Sequence, residues 1–477
     1  MTGTIEQQLS AIGAAQVIAI VRPDGSAPRG AGRGRLSASV ARGLTPVKTR
    51  GRSRPHPWMT VAAVAGLLGH FRTSELTQDS AVAAAMADRV VREEGLPRGD
   101  TSGLRAVRHV ARAAVRSVAP AAAVRFFPNL GVLLGTVDAS GLATLRADRR
   151  VEAVLGTPAI RPIRPYRIAA ATLTRNTTWG LDLLEAPAVW QTGFSGKGVV
   201  VAHLDTGVDG THPALKKAIA AFAQFDDLGF EVEPTPAAFD SDQHGTHTAA
   251  TIAGRAVAGK TVGVAPDAML VSAMVIEGGN TIARVLAGMD WAIGHGARVL
   301  SMSLGFPGYV EDFVQVTQRL RERGILPVFA VGNEGPGTSR SPGNYPEALS
   351  IGAVDRDGVV ADFSSSQQFK RTRDPVVPDL VAPGVDVISA KPGGGYQSMD
   401  GTSMATPHVA GLAALLLQAK PDATVDEIEA AIDGSCRSDG IAYDRGNRGI
   451  PNAPRALEIL TGGHASTPKR ASKSSRK

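Results

Sequence analysis

The hydrophobic pattern of the chain changes at about Trp179. Beyond this residue, short continuous apolar runs alternate with longer stretches of helical period at 281–296 and 311–323. The apolar runs are GKGVVVAHLDTGV, MLVSAMVI, ARVLSMSLG, ILPVFAVGN and ALSIGAV. Continuous apolar strands separated by helices predict a parallel sheet with helices on both faces. In such sheets the catalytic groups gather at the carboxyl ends of the strands, so the polar residues after these runs are the candidates for chemistry.

The first part of the chain has a different pattern. AAQVIAIVRP predicts a strand, and residues 74–95 and 104–117 predict two helices. AVRFFPNLGVLLGTVD predicts two short strands around Pro128-Asn129, and ASGLATLRADRRVEAVLG predicts a helix opened by Ser140 and then a strand. The order β-α-β-β-α-β is typical of a small ferredoxin-like α+β domain, which we assign to residues 1–165.

Two basic segments and a linker complete the predicted organisation. Residues 28–57 contain seven arginines, one lysine and no acid, and five more positive residues without an acid follow Gly463. The net charge of +7 therefore belongs to these segments rather than to a folded face. Neither segment has interleaved aromatic residues for stacking, so 25–57 and 463–477 predict disorder and nucleic-acid binding is not expected. Residues 166–178 lack an apolar period and predict an inter-domain linker.

Features of compartment are few. The N-terminal stretch MTGTIEQQLSAIGAAQVIAIVRP has an acid at Glu6 and no basic residue before Arg22, which is a poor secretory signal. No apolar run approaches the length of a membrane span. The single cysteine, Cys436, excludes an internal disulfide, and its polar loop without a local base predicts a structural rather than a nucleophilic role. This composition favours a cytoplasmic protein, with export by another route as the alternative.

Four polar residues stand where the predicted sheet would bring catalytic groups together. Asp205 ends VVVAHLD, and His244 begins HGTHTAATIAG. Asn333 ends VFAVGN, and Ser403 opens an apolar helix in GTSMATPHVAG. Each of them alone has an ordinary interpretation as a helix cap, a turn former or a buried structural residue. Together they supply a nucleophile, a base, a carboxylate that orients the base and an amide donor for an oxyanion.

The motifs DTGVDGTHPAL, HGTHTAATIAG, VGVAPDAML, SMSLG, VFAVGNEGPG and GTSMATPHVAG occur in this order. They resemble the successive signature blocks of the subtilisin-like serine peptidases, the subtilases. The resemblance implies a subtilisin-like, mostly parallel, doubly wound α/β sheet over 179–462. It also implies that Asp205, His244 and Ser403 form the catalytic triad and that Asn333 is the side-chain oxyanion donor. The expected reaction is peptide-bond hydrolysis through an acyl-enzyme intermediate.

The same resemblance implies a substrate cleft. SMSLG at 301–305 and FAVG at 329–332 are similar to the two segments that pair with an extended substrate and wall its main pocket. The implied substrate-binding residues are Ser303, Leu304, Gly305, Ala330, Val331 and Gly332. Arg340 stands where many relatives have a small residue. It either biases the pocket towards polar or acidic side chains or faces solvent, and the second interpretation is preferred.

The sequence departs from the best-known subtilases at their strong calcium site. That site uses an aspartate after the His-Pro of the first block and an Asn-rich loop after the histidine helix. Here Ala214 follows Pro213, and AGRAVAGKTVGVAP contains neither Asn nor Asp. Because calcium needs several oxygen ligands, we expect this site to be absent and no other cofactor or metal to be required, although a weaker calcium site elsewhere stays open.

Three further histidines have structural interpretations. His247 follows His244 in an H-x-x-H pattern, but the zinc-protease motif needs a glutamate and a wider histidine spacing. His212 and His408 are also interpreted as structural residues. We expect all three to support the fold.

The N-terminal region also resembles part of a known family. LGTVDASGLATLRADRRVEAVLG is similar to the second half of a subtilase propeptide, over roughly 120–165. The resemblance implies that the N-terminal region is an intramolecular inhibitor and chaperone, and that the chain is a zymogen cleaved between about Gly156 and Asn176. A permanent N-terminal domain with a binding role is the alternative.

Two other functions stay open at this stage. A catalytically idle subtilase fold used as a binding module is disfavoured, because all four catalytic positions are occupied. An esterase would share the chemistry, but the G-x-S-x-G elbow is missing, since Ser403 lies in G-T-S-M-A. The sequence therefore predicts a serine endopeptidase that acts on polypeptides, as a monomer.

Overall fold

The computed structural model describes residues 4–22, 59, 64–71, 124–278 and 281–462. These residues group into two compact units. The first draws on residues 1–159, 225–231 and 277–291, and the second on residues 160–224, 232–276 and 292–477. The helices predicted at 74–95 and 104–117, and the basic segments 25–57 and 463–477, lie outside the described residues.

The first unit contains a four-stranded antiparallel sheet of order β2-β3-β1-β4. Its strands are β1 (Ala15–Val21), β2 (Arg125–Phe127), β3 (Val132–Val137) and β4 (Val151–Leu155). This strand order is the one expected of the predicted ferredoxin-like domain. Its helices within the described residues are Ile5–Ile12, a short 3-10 helix Ala65–His70, and Ala139–Ala147.

The helix starts in this unit differ from the prediction in two ways. The helix Ala139–Ala147 begins after Asp138, whose side chain accepts the N–H of Gly141, so the predicted cap Ser140 is wrong. Asp138 caps this helix because a carboxylate in an extended Ncap residue reaches the free N–H groups of the first turn. The helix Ile5–Ile12 was not predicted, although Thr4 and Gln7 form a reciprocal capping box at its start.

Residues 225–231 and 277–291 join the first unit through specific contacts. Asp290 is buried, and its Oδ1 accepts the main-chain N–H groups of Asn129 and Leu130 at 2.7 and 3.0 Å. Arg125 donates to the oxygen of Gly229 at 2.7 Å and lies over the ring of Phe230, 3.9 Å from its centroid. The turn between β2 and β3 is therefore held by a buried carboxylate.

The second unit contains the predicted parallel sheet, which is confirmed. It has seven strands in the order β17-β14-β12-β10-β7-β9-β8, and every neighbouring pair is parallel. The strands are β7 (Val200–Asp205), β8 (Ile219–Gln224), β9 (Met269–Met274), β10 (Val299–Met302), β12 (Leu326–Ala330), β14 (Leu349–Val354) and β17 (Leu380–Pro383). All their carboxyl ends lie at one edge, so the residues after β7, β10 and β12 are neighbours there.

Helices follow these strands along the chain. Those after residue 170 are Trp179–Leu183, Ala186–Gln191, His244–Ala253, Thr281–Gly294, Val314–Glu322, Thr402–Ala419, Val425–Ser435, Tyr443–Gly446 and Ala453–Thr461, with a 3-10 turn at Glu311–Phe313. We call His244–Ala253 the histidine helix and Thr402–Ala419 the serine helix. None of the helices in the described part of the chain is long and apolar enough to span a membrane.

The segment predicted as a linker, 166–178, contains the strand β6 (Arg167–Ala171), and the strand β5 (Arg161–Pro162) precedes it. β5 pairs with β11 (Leu304–Pro307), which also pairs with β13 (Arg340–Ser341). β6 pairs with β19 (Tyr396–Asp400), whose other neighbour is β18 (Val387–Ala390). A small hairpin of β15 (Gln367–Gln368) and β16 (Val376–Val377) completes the strands.

The strands β5 and β6 were not predicted because an edge strand does not need an apolar face. β5 and β6 lie at the edges of their sheets and keep much of their surface exposed. Main-chain hydrogen bonds hold them, and these leave no period in the sequence. The second compact unit accordingly begins at Ile160, five residues before the limit of the predicted N-terminal domain.

Candidate active site

Asp205 and His244 form a buried hydrogen-bonded pair. Asp205 is the last residue of β7 and His244 the first of the histidine helix, and the Oδ1 and Nδ1 atoms are 2.7 Å apart. Burial by itself would lower the pKa of His244, but the charge and hydrogen bond of Asp205 outweigh it, so this pKa is raised. Burial also opposes ionisation of Asp205, yet the charge and hydrogen bond of His244 keep the pKa of Asp205 below its usual value. The pair can therefore hold a proton on the imidazole.

A polar network fixes this pair in place. The N–H of Thr206 donates to Asp205 Oδ1 at 2.7 Å, and the hydroxyl of Thr206 donates to Asp240 at 2.7 Å and accepts from the N–H of Gly245 at 3.0 Å. Gly245 is required here, because a Cβ at this position would lie 2.0 Å from the oxygen of Gly207. The close approach of two backbones thus sets the start of the histidine helix.

Ser403 is the second residue of the serine helix, and it is buried. The residue before it, Thr402, orients Asn333: its N–H and its hydroxyl both donate to Asn333 Oδ1, at 2.9 and 2.8 Å. The amide group Nδ2 of Asn333 is then free to donate elsewhere, and it donates to the oxygen of Arg164 at 2.9 Å. Thr402 therefore orients the amide group of Asn333.

Residues 160–166 cross this site as a segment that contains the strand β5 (Arg161–Pro162) and is held by main-chain hydrogen bonds. The N–H of Ile163 donates to the oxygen of Ser303 at 3.2 Å, and β5 continues the pairing, with Pro162 opposite Leu304 and Arg161 opposite Gly305. On the other side, the N–H of Tyr166 donates to the oxygen of Asp400 at 2.7 Å. A stretch of the chain itself occupies the groove beside the serine.

The hydroxyl of Ser403 is hydrogen-bonded to the segment 160–166. Its Oγ donates to the oxygen of Ile163 at 2.9 Å. The atom His244 Nε2 is buried and has no hydrogen-bond partner among the described residues. The helices that carry the two residues pack against each other, and a Cβ on Gly411 of the serine helix would lie 3.3 Å from the oxygen of Ile252 on the histidine helix.

The two predicted substrate-binding segments, 301–305 and 329–332, have different neighbours. Ser303, Leu304 and Gly305 run beside the strand 161–163, as described above. The second segment is bound to other loops. Ala330 ends β12. Val331 donates its N–H to the oxygen of Ile351 and accepts the N–H of Arg340. The oxygen of Gly332 accepts the N–H of Ser365 and lies 3.2 Å from the hydroxyl of Thr402.

Arg340 does not stand free in solvent, as the preferred interpretation had it. It donates from Nε to Glu334 Oε1 at 2.8 Å and from Nη2 to the same oxygen at 2.5 Å, and only 15% of its side chain is exposed. A Cβ on Gly332 would lie 3.2 Å from Arg340 Cγ, so the arginine stem packs on the second pocket segment. An ion pair, and not a lone positive charge, therefore lies beside the pocket.

The three histidines that were predicted to be structural bind main-chain oxygens. His212 Nε2 pairs with Gly395, His247 Nε2 with Val387 and His408 Nδ1 with Met404, at 2.9, 2.9 and 2.8 Å. Burial lowers the pKa of His247 to about 3 and that of His408 to about 4, so both stay neutral. Their geometry agrees with the predicted structural roles.

Cys436 is a free, partly buried cysteine. Burial raises the pKa of Cys436 well above its usual range, so its thiol stays protonated, as a structural cysteine would. Across the described ranges, no group of three or more His, Cys, Asp or Glu side chains has the geometry to hold a metal ion.

Sequence reasoning missed three parts of the site. Asp240 lies four residues before His244 in FDSDQHG. An acidic, turn-rich stretch directly before a helix is a sequence signal from which Asp240 could have been predicted. Glu334 directly follows Asn333, yet its partner Arg340 is found only by the fold of the loop. The segment 160–166 carries no signal of its own, because main-chain pairing holds it.

Comparison with known proteins agrees with this geometry. The family model described as "Subtilase family" matches residues 196–450. Subtilisin Savinase of Lederbergia lenta is 37% identical over 284 residues, which are 59% of this chain and 99% of that protein. The alkaline protease of Alkalihalobacillus alcalophilus is 37% identical, over 60% of this chain and 71% of its own. The intracellular serine protease of Paenibacillus polymyxa is 40% identical, over 50% of this chain and 72% of its own length.

The matched region covers more than half of the chain and includes β7, the histidine helix, Asn333 and the serine helix. One relative is covered over nearly its whole length at 37% identity. The chain belongs to the subtilase family of serine endopeptidases.

Proposed function

We propose that the chain hydrolyses peptide bonds within extended polypeptides through Asp205, His244 and Ser403. The observation that supports this best is the buried pair of Asp205 and His244, 2.7 Å apart. His244 opens the histidine helix, which packs against the serine helix that carries Ser403. The buried and unpartnered Nε2 of His244 is the atom that a general base would use.

The proposed reaction needs no group beyond these side chains and water. Ser403 Oγ attacks the carbonyl carbon while His244 Nε2 takes the hydroxyl proton, and the carbonyl electron pair moves to the oxygen. Asn333 Nδ2 and the N–H at the start of the serine helix donate to that oxyanion. His244 then gives its proton to the leaving nitrogen, the C–N bond breaks, and an acyl-enzyme is left.

Water completes the cycle by the reverse steps. It loses a proton to His244 and attacks the ester carbon, so that the acid product leaves as Ser403 Oγ regains the proton. Throughout, Asp205 stays ionised and stabilises the imidazolium, which the raised pKa of His244 supports.

The substrate class follows from main-chain pairing. Ser303, Leu304 and Gly305 already hold one extended strand, 161–163, by its backbone. Backbone pairing accepts many sequences, and the pocket bounded by Ala330, Val331 and Gly332 would add a preference. Polypeptides in extended conformation are therefore the proposed substrates, and we propose that the chain acts as a monomer.

We also propose that the segment 160–166 keeps the enzyme inactive until it is cut. Ser403 Oγ donates to the oxygen of Ile163, whereas Asn333 Nδ2 donates to that of the next residue, Arg164. A reactive complex needs the nucleophile and the oxyanion donor at one carbonyl. This offset supports slow cleavage of the Ile163–Arg164 bond, within the predicted range, and a zymogen whose N-terminal region is inhibitor and chaperone.

Digestion of casein tests the proposed activity. The full chain, after incubation that allows self-processing, should digest casein, and the variants Ser403→Ala and His244→Ala should not. The variant His295→Ala, which removes a histidine far along the chain from these residues, is the matched control and should stay active. Activity of Ser403→Ala equal to that of the unchanged chain would overturn the proposed function.

A further inference from the structure

His203 lies behind the carboxylate of Asp205. The two residues are two positions apart on β7, so their side chains leave the same face of the sheet. Both are buried, with 1% and 2% of their surface exposed. His203 Nε2 is 3.8 Å from Asp205 Oδ2. The motif that predicts the catalytic aspartate begins at Asp205 and does not include His203.

Thr248 connects the two side chains. Its Oγ1 lies 2.9 Å from His203 Nε2 and 3.2 Å from Asp205 Oδ2. Thr248 is four residues after His244 on the histidine helix, so the two side chains share a face of that helix. The same hydroxyl is also 3.2 and 3.1 Å from the oxygens of His244 and Gly245. One helix face thus presents the base to one carboxylate oxygen and a hydroxyl to the other.

Ser272 completes the chain on the far side of the imidazole. Its Oγ lies 3.0 Å from His203 Nδ1, and Ser272 is the direct neighbour of His203 in the parallel pair β7 and β9. Burial lowers the pKa of His203, so its ring is neutral, with one donor and one acceptor nitrogen.

Only one arrangement of the protons along Ser272, His203 and Thr248 gives Asp205 Oδ2 a hydrogen bond. The single hydroxyl proton of Thr248 can point to Asp205 Oδ2, to His203 Nε2 or to the main-chain oxygens of His244 and Gly245. Asp205 accepts but cannot donate, so only the direction towards its carboxylate forms this bond. Thr248 then accepts from His203 Nε2–H, and His203 Nδ1 accepts from the hydroxyl of Ser272. In the opposite direction, Thr248 would donate to His203 Nε2 and leave Asp205 Oδ2 without this bond. A charged acceptor is the stronger partner, which favours the first direction.

We propose that His203 is a positioning residue for catalysis: Ser272, His203 and Thr248 form a directed chain of hydrogen bonds that holds Oδ2 of Asp205, so that Oδ1 stays aligned with His244. The proposal rests on the proposed triad. Oδ1 receives the N–H of Thr206 and His244 Nδ1, both at 2.7 Å. With Oδ2 held by Thr248, the carboxylate cannot rotate without breaking bonds at both oxygens.

The hydrogen-bond chain formed by Ser272, His203 and Thr248 should affect the rate of catalysis more than substrate binding. Without its donor at Oδ2, Asp205 becomes more basic and less well fixed, and its attraction for the imidazolium of His244 grows. The pKa of His244 should then rise, and activity should disappear at a higher pH on acidification. The charged groups that act on His203 are Asp205, Asp240 and His244, and none of these is altered in the variants below.

The test uses the full chain after self-processing, with rates referred to titrated active sites. Thr248→Val keeps the shape of the side chain and removes the hydroxyl, and Thr248→Ser keeps the hydroxyl. Thr251→Val is the matched control, since Thr251 is a buried threonine of the same helix whose hydroxyl binds the oxygen of His247. His203→Leu and the double variant with Thr248→Val test whether the two residues act as one chain.

We expect Thr248→Val to lower kcat about tenfold, the loss expected of one charge-assisted hydrogen bond, with KM little changed. The acid limb of the pH profile should move upward, Thr248→Ser should restore both, and His203→Leu should add little to Thr248→Val. A kcat of Thr248→Val equal to that of Thr251→Val, or full additivity in the double variant, would overturn the proposal. If Thr248→Val does not fold, Ser272→Ala decides, because it removes only the last donor and should give the same shift of the acid limb. Retained activity in Ser403→Ala would instead contradict the triad on which the proposal rests.

Discussion

The hydroxyl of Ser403 donates to the main-chain oxygen of Ile163 at 2.9 Å, across 240 positions of sequence. The amide of Asn333 donates to the next carbonyl, that of Arg164, also at 2.9 Å. Each end of the bound segment is held in its own pairing, Ile163 by Ser303 and Tyr166 by Asp400. We propose that one residue too many between these anchors makes the nucleophile and the amide donor bind different carbonyls.

Deletion of Pro165 should therefore speed self-cleavage, because it shortens the segment by one residue and keeps the Ile163–Arg164 bond. With one residue fewer between the two anchors, a single carbonyl can face both Ser403 and Asn333, and we expect the cleaved product to appear about tenfold faster or more. Intact-mass spectrometry over time measures this rate. Deletion of Thr174, in the loop after β6, is the control and should leave the rate unchanged. An equal rate in the two deletion variants would contradict the offset as the cause of slow cleavage.

Asn333→Ala should lower kcat by about 10²–10³-fold and change KM little, because the amide is needed most when the oxyanion has formed. Steady-state kinetics with a chromogenic peptide measures both constants. Asn452→Ala is the matched control: Asn452 caps the last helix, so its loss should reduce stability by about 1 kcal/mol and leave kcat unchanged. A fall in kcat no larger than that of the control would exclude Asn333 as the oxyanion donor.

The stability of the second unit should fall as the pH rises. Burial raises the pKa of Asp379 to about 8 and that of Asp433 to about 7, although Arg448 opposes both shifts. These carboxyl groups keep a proton in the folded chain where the unfolded chain has lost it. Unfolding then releases protons, so the free energy of unfolding decreases between about pH 4 and about pH 8.

Asp379→Asn should flatten this dependence, since the amide does not titrate. Denaturant unfolding at about pH 5 and about pH 8 measures the difference, and Asp355→Asn, in a loop, is the matched control. A stability difference between the two pH values as large in Asp379→Asn as in Asp355→Asn would show that Asp379 does not hold the proton.

Chelation of calcium should change the melting temperature little. We propose that the strong calcium site of the best-known relatives is absent, because Ala214, buried in this chain, offers no side-chain oxygen where they have an aspartate. Thermal unfolding with and without EDTA measures the effect. A drop of many degrees that added calcium reverses, and magnesium does not, would contradict this expectation.

The sequence predicted the parts of the site whose neighbours leave a pattern. Asp205 follows a continuous apolar run, and Ser403 precedes a helix that is buried along nearly its whole length. Such runs arise because both faces of the sheet are covered, so the strands and the residues at their ends could be found.

The remaining parts depend on contacts that have no period. The segment 160–166 is held by its backbone, so its side chains did not have to alternate. The pairing of Arg340 with Glu334 depends on the fold of a loop, and that of His203 with Thr248 on the approach of a helix to β7. Distances between elements decided these features, and a single sequence does not contain them.

The most direct test of the account is covalent labelling of Ser403. A fluorophosphonate probe reacts only with a serine that a neighbouring base activates, and peptide mapping identifies the labelled residue. After self-processing, the chain should carry the label on Ser403, and His244→Ala should abolish it while His295→Ala keeps it. Absence of label from the unchanged chain, or label on Ser403 that persists in His244→Ala, would contradict the triad.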